Sequence, residues 1–503
     1  MRTGFPAIDN DPHPDFRIYS AGNLGEVAPE RLSPMSWSLV GIPMERGTRK
    51  LVRQVWGTLP WAQGSRYVFL GYFGCRPYHN LSAYSHLATQ FPRVTPRDVT
   101  DAYFEGVEPP EVDTHGRESR LRRYSAVPRM LRVWGRLASE INRLEEEVTV
   151  LEDLARRAIA RRSETGMYEV LLRAVPLLDD GWAAHIVTTS CVVPMTVLQR
   201  ELHRRLVAGA DGIEAWLNRP RELVWGRMYD FAGEPGDFAP GEFLGSSFYE
   251  VADDRDPWRR FVVRHASGAT GPEPRNDGVL GLDEALWGML PRGRRRIVQS
   301  TARMIGDMMT SREHSKSVVM RLLHLHRRVL PELATAWSLP ADSWPYLTIE
   351  EFREVHREPG LLDLVGPRRE QCLAAVGLPM PEHLDLSGAT AVPWDADARR
   401  AARGVSPGRV TGVVITADTD DDPPEDTPCI LVCDSADADV APLLGLVDGV
   451  VTARGSEMSH IAILAREHRI PAVVGYADAG LLTPGDLITI DGRSGEVHVE
   501  PAG

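Results

Sequence analysis

Gly455-Ser456-Glu457-Met458-Ser459-His460-Ile461-Ala462-Ile463-Leu464-Ala465-Arg466-Glu467 sets one histidine where a turn of small residues feeds a short helix. Ile470-Pro471-Ala472-Val473-Val474-Gly475 follows as a buried-strand pattern. A histidine at such a junction can carry a phosphoryl group. The turn lets the ring reach solvent, and the N–H groups of a first helical turn favour an anion. Neutral imidazole is a nucleophile near physiological pH. Ser459 either caps the helix or orients the phosphate. Around this run, short apolar stretches at Val410–Ile415, Cys429–Val432, Val447–Val451, Ala472–Val474 and Leu487–Ile490 alternate with helical or turn segments. They describe a compact α/β domain of about 110 residues, an ordinary domain size.

Upstream the periodicity changes. From Arg120, the residues Leu121, Met130, Leu131, Val133, Leu137, Ile141, Leu144, Val148 and Leu151 recur mostly three or four apart, as on one face of a helix. Leu171–Leu206 and Arg292–Leu330 read as further helices. Pro and Gly cluster over Glu234–Gly245 and Gly268–Gly278, which reads as loop. Gly377–Pro393 holds Pro379, Pro381, Gly388 and Pro393 without sustained periodicity, as a linker does. The expectation is an α+β multidomain chain. An N-terminal arm covers 1–18, a mainly helical substrate-binding domain 19–376, a linker 377–395 and a small α/β domain 396–503.

Composition excludes several classes. At 503 residues the chain exceeds one typical domain. A net charge of −13 argues against a general nucleic-acid binder, which needs a basic face. No window approaches about 18 uncharged apolar residues, so no membrane span is expected. Met1–Asp15 lacks a basic region followed by an apolar core, so no signal peptide is expected and the location should be cytoplasmic. Cys75, Cys191, Cys372, Cys429 and Cys433 show no zinc spacing; they read as thiols in a reducing compartment, with no metal site. Lys50 and Lys316 are the only lysines, and no Gly-x-x-x-x-Gly-Lys-Ser/Thr phosphate loop exists.

With its flanks, the His460 run resembles the mobile phosphohistidine domain of the phosphoenolpyruvate-utilising enzymes, which include rifampicin phosphotransferase. The family pattern is Gly-Gly-x-x-Ser-His-x-Ala-Ile-x-Ala-Arg-Glu, then Gly-Ile-Pro-Ala-Val-Val-Gly. Gly404-Val405-Ser406-Pro407-Gly408, Gly412, Gly485-Asp486, Asp491-Gly492 and Gly495 match its flanks. Two positions depart: Ser456 stands for the second Gly, and Arg469 for the Gly before Ile470. Asn23-Leu24-Gly25-Glu26-Val27-Ala28-Pro29 resembles the run that opens the family's middle domain just after its ATP-grasp domain. Gly71–Leu81 with Pro92-Arg93-Val94-Thr95-Pro96 resembles a later stretch of the same domain. The resemblance implies that ATP and Mg²⁺ act only through a separate ATP-grasp partner, with neither bound directly by this chain.

A carrier needs a receiving station. Arg312 and Lys316 are four residues apart and share one helix face, forming either a phosphate receiver or a solvated basic edge. They resemble the Arg-Glu-x-x-Lys helix of the rifampicin phosphotransferase middle domain, whose Arg and Lys face the incoming phosphohistidine. His265 and Glu273 form either a general-base pair for a substrate hydroxyl or part of a surface loop. His185, within an apolar helix, reads as a core histidine. The leading expectation is a phosphotransferase that passes phosphate from His460 to a small-molecule hydroxyl. A dehydratase that eliminates the new phosphate, in natural-product biosynthesis, is the second. A catalytically inactive binding or regulatory subunit is the third.

Overall fold

The computed structural model describes residues 10–25, 28, 31–64, 67–104, 119–206, 251–252, 292–376, 378, 381–386, 392–393, 402–416, 427–433, 444, 447–455, 459, 461–462, 465–466 and 469–500. The first part is built on long helices. Helix α1 is Gly22–Gly25, α2 Pro34–Trp56, α3 Leu81–Thr89, α4 Pro96–Tyr103, α5 Arg120–Ala160, α6 Glu164–Leu206, α7 Arg292–Ala336, α8 Ile349–Glu354 and α9 Val365–Val376. The expected helices over 171–206 and 292–330 are thus the bulk of α6 and α7. No membrane-crossing helix, long and apolar enough for a bilayer, occurs among the described residues.

Helix α2 is central. The side chain of Ser33 caps it by accepting from Ser36 N at 3.2 Å, and Pro34 occupies its first turn, where the missing N–H is harmless. It is buried on nearly every face, from Trp37 and Leu39 through Ile42 to Leu51 and Val55. On α5, the periodic set Met130, Leu137, Ile141, Leu144, Val148 and Leu151 is buried, whereas Leu121 and Leu131 of the same pattern are 83% and 41% exposed. Glycines let three helices approach closely. A Cβ on Gly47 of α2 would lie 3.0 Å from the Cα of Ala183 on α6, and one on Gly181 of α6 would lie 3.3 Å from Val319 on α7.

A five-stranded antiparallel sheet covers part of this bundle, which helical periodicity alone did not suggest. Its order is β2 (Leu70–Phe73), β3 (Arg76–Asn80), β1 (Ile18–Ser20), β4 (His383–Asp385) and β5 (Val392–Pro393). The last two strands come from the stretch read as a linker. Glu45 of α2 fastens the sheet to the helices. Its fully buried carboxylate accepts from Arg49 Nε at 2.7 Å and from the backbone N–H groups of Val68, Phe69 and Leu70 at 3.0–3.2 Å.

The second part is a seven-stranded mixed sheet. Its order is β12 (Glu496–Val499), β11 (Leu487–Asp491), β7 (Arg409–Ile415), β8 (Cys429–Cys433), β9 (Gly449–Thr452), β10 (Ala472–Val474) and β6 (Arg403–Ser406). Strands β7 to β10 run parallel, and β6, β11 and β12 are antiparallel to their neighbours. Gly492 permits the backbone crossing beside β6: a Cβ there would sit 1.9 Å from the carbonyl oxygen of Ser406.

Burial makes the interior acid-sensitive. It lowers His79, His185 and His324 to about 3 and His326 to about 4, from an ordinary value near 6.5. Below about pH 6.5 the unfolded chain takes up protons that the native protein refuses until pH 3–4. Stability should therefore be flat above that point and fall as pH drops, by about 1.4 kcal/mol per histidine for each unit. Thermal melts between pH 7.5 and 5.0 test this: the wild type should lose stability steeply, and His326→Gln should show a shallower slope. A melting temperature that rises on acidification would contradict it.

Candidate functional site

The two halves of the expected site stand differently. Ser459 is wholly buried at a helix start, and its side chain accepts from Ala462 N at 3.4 Å, the geometry of an N-cap. His460 and Ser456 lie outside the described residues, as do His265 and Glu273. Gly455, at φ 139, turns the chain between β9 and this helix; a Cβ there would lie 3.3–3.4 Å from Val474, Ser459 and Thr452. At the helix end Arg469 holds φ 57 while Ile470 N donates to Ala465 O at 2.9 Å. That left-handed position is where glycine is cheapest, so the arginine there carries roughly 1–2 kcal/mol of backbone cost. Arg466 ties the helix back to the sheet by donating to Val405 O at 3.0 Å.

Helix α7 carries the cations. Arg312 and Lys316 are 6% and 7% exposed, so they are buried cations and not a solvated edge. They face α6. Ser315 donates to Arg312 O at 2.8 Å, and its oxygen lies 3.1 Å from His185 Nδ1. With that hydroxyl hydrogen committed, Nδ1 carries the proton and donates to Ser315, which leaves Nε2 as the acceptor. Burial first, then the charges of Arg312 and Lys316, hold His185 neutral, with a pKa lowered to about 3. His185 is hydrogen-bonded as a core histidine is, yet it sits against both cations.

His185 also lines a partly open apolar cavity of about 110 Å³, together with Met44, Val55, Leu87, Phe91, Phe104 and Met130. A comparable apolar cavity of about 150 Å³ suffices to bind benzene. One polar residue on its wall escaped sequence reasoning. His79, on β3, is buried, meets Tyr84 and Phe104 edge-on at 5.3 and 5.7 Å, and leaves Nδ1 without a hydrogen bond. Alternation along β3 was the signal available, but all five of its residues are buried, which erases it. The described residues contain no cluster of His, Cys, Asp or Glu fit to hold a metal ion.

An ion pair brings the two parts together. Arg454, next to the Gly455 turn, lies 3.7 Å from Glu382, just before β4.

Comparison with known proteins follows this division. Residues 425–495 match the model of the PEP-utilising enzyme mobile domain. An uncharacterised protein of Mycobacterium tuberculosis is 25% identical over 98% of this chain, which spans 62% of that relative's length. The prodigiosin synthesizing transferase of Serratia marcescens is 29% identical over 43% of this chain and 26% of its own. Rifampicin phosphotransferase of Streptomyces sviceus is 33% identical over 31% of this chain and 18% of its own.

His79→Phe tests whether the cavity wall carries an unmet polar atom. Replacing an orphaned imidazole by an apolar ring should keep or raise stability, by about 1 kcal/mol, in urea titrations near pH 7.5. A loss of several kcal/mol would mean that the imidazole has a partner the structure lacks.

Proposed function

We propose that this chain, a rifampicin phosphotransferase-like member of the phosphoenolpyruvate-utilising enzymes, carries a phosphoryl group on His460 to the hydroxyl of a small apolar molecule held in the helical part. The observation that carries this reading is His185, which lines an apolar cavity, is hydrogen-bonded to Ser315 of α7 and feels the charges of the buried Arg312 and Lys316.

In outline, an ATP-grasp module, assigned here to a separate partner protein, places phosphate on a ring nitrogen of His460. The charged domain then presents it at the cavity. Arg312 and Lys316 take up the charge on the transferring phosphoryl oxygens, where positioning and electrostatics supply most of the acceleration. His185 Nε2 accepts from the acceptor hydroxyl and aims its oxygen at phosphorus. The P–N bond breaks as the O–P bond forms; the proton lost by the hydroxyl balances the one taken up, through solvent, by the leaving ring nitrogen of His460, so that imidazole leaves neutral and His185 ends neutral as it began. Ser459 serves this scheme by capping the helix behind His460. The apolar wall suits a hydrophobic acceptor.

The chain loaded with phosphate on His460 tests this in single turnover with a panel of hydroxylated aromatic acceptors. Arg312→Ala and Lys316→Ala should still accept phosphate on His460 but transfer it about 10²–10³-fold more slowly. Transfer at the wild-type rate in both variants would remove the receiving station. A stable phosphate ester supports the transferase reading; an alkene with inorganic phosphate would replace it by the dehydratase.

A further inference from the structure

Away from that site, the tip of the first sheet brings two thiols together. Strands β2 and β3 pair from Leu70↔His79 to Phe73↔Arg76, so Gly74 and Cys75 form a two-residue turn. Both have positive φ, 57 and 60. Two such residues make the turn type that favours Asn-Gly, with glycine preferred at the position Cys75 occupies. A cysteine there holds a conformation that its Cβ disfavours, and such outliers are worth reading toward function. Its Sγ lies 3.1 Å from Sγ of Cys372 on α9. Cys75 is buried and Cys372 partly exposed.

The surroundings hold this pair in register. Arg31 donates to Gly74 O and, at 2.8 Å, to Leu378 O just beyond α9. Leu32 N donates to Cys75 O at 2.8 Å. Arg76 and Tyr78 each donate to Pro381 O at 3.1 Å. The turn is thus clasped to the end of α9 and to the stretch that leads into β4.

We propose that Cys75 and Cys372 are a modification site that closes to a disulfide under a hydroperoxide. The partly exposed Cys372 thiolate attacks one peroxide oxygen; the O–O bond breaks, giving a sulfenic acid and, after protonation, water. The Cys75 thiolate then attacks that sulfur, the S–O bond breaks, and a second water leaves. Two thiols and one hydrogen peroxide become one disulfide and two waters. A sulfur–sulfur distance of 3.1 Å needs only about 1 Å of movement to reach bonding length, which is about 2.05 Å. The bond would fix α9 to the sheet at the root of the segment that leads to the second domain. Nothing in this inference depends on the phosphoryl-transfer reading.

The full chain, treated with stoichiometric hydrogen peroxide and then alkylated in denaturant, tests it by peptide mapping. A Cys75–Cys372 linkage reversed by dithiothreitol, and a higher melting temperature of the oxidised protein, are expected. Cys75→Ser should instead trap a dimedone-reactive sulfenic acid on Cys372. Full alkylation of both cysteines after peroxide has oxidised a reference dithiol in the same tube would overturn the proposal. So would linkage of either cysteine to Cys191, Cys429 or Cys433.

Discussion

The close contact of α2, α6 and α7 is the constraint on which the rest of the molecule depends. Gly47 lets α2 lie against the backbone of α6 at Ala183, and Gly181 lets α6 lie against Val319 of α7. One turn beyond Gly181 comes His185, and one turn before Val319 come Ser315 and Lys316. A side chain at either glycine would make its neighbour give by a few tenths of an ångström, and Gly181 lies one turn from His185, whose 3.1 Å contact with Ser315 sets the tautomer of the ring. Interiors pack too densely to absorb such a change without cost.

Arg312 and Lys316 are buried beside His185. A guanidinium and an ammonium inside a protein cost several kcal/mol each unless something offsets them. The neutral state of His185 is the counterpart: burial and the two positive charges both oppose its protonation. A ring that stays neutral can accept from a hydroxyl without adding a third positive charge to the site. Glu45 plays the complementary part on the far side of α2, where one carboxylate satisfies three backbone donors and an arginine and so welds the sheet to the helices.

Much of this was legible in the residues, and the exceptions have physical causes. Most strands of the second domain were visible because they read as apolar runs, and β7 to β11 fall where those runs lie. Strands β6 and β12 escaped because their residues are small, charged or exposed. The amphipathic face of α5 gave helical spacing; α2 went unread, because Pro34–Glu45 are all buried and only its second half carries exposed residues, Lys50, Arg53 and Gln54. The short antiparallel sheet was hidden by its strand lengths of two to five residues. For the site, spacing alone placed Arg312 and Lys316 on one face but left burial open, and only packing brought His185 and His79 to a common cavity. The departure at Arg469 has a conformational meaning that sequence alone withheld: the position is left-handed.

Whether His460 is a covalent phosphoryl carrier is read most directly by intact mass near neutral pH, since phosphohistidine survives there and not in acid. The chain would be incubated with ATP, Mg²⁺ and an ATP-grasp protein of demonstrated ATP-cleaving activity, beside the chain alone and the His460→Ala variant. A single phosphoryl group should be gained, present only with the partner and abolished in the variant. No gain with an active partner, or an equal gain in His460→Ala, would contradict it.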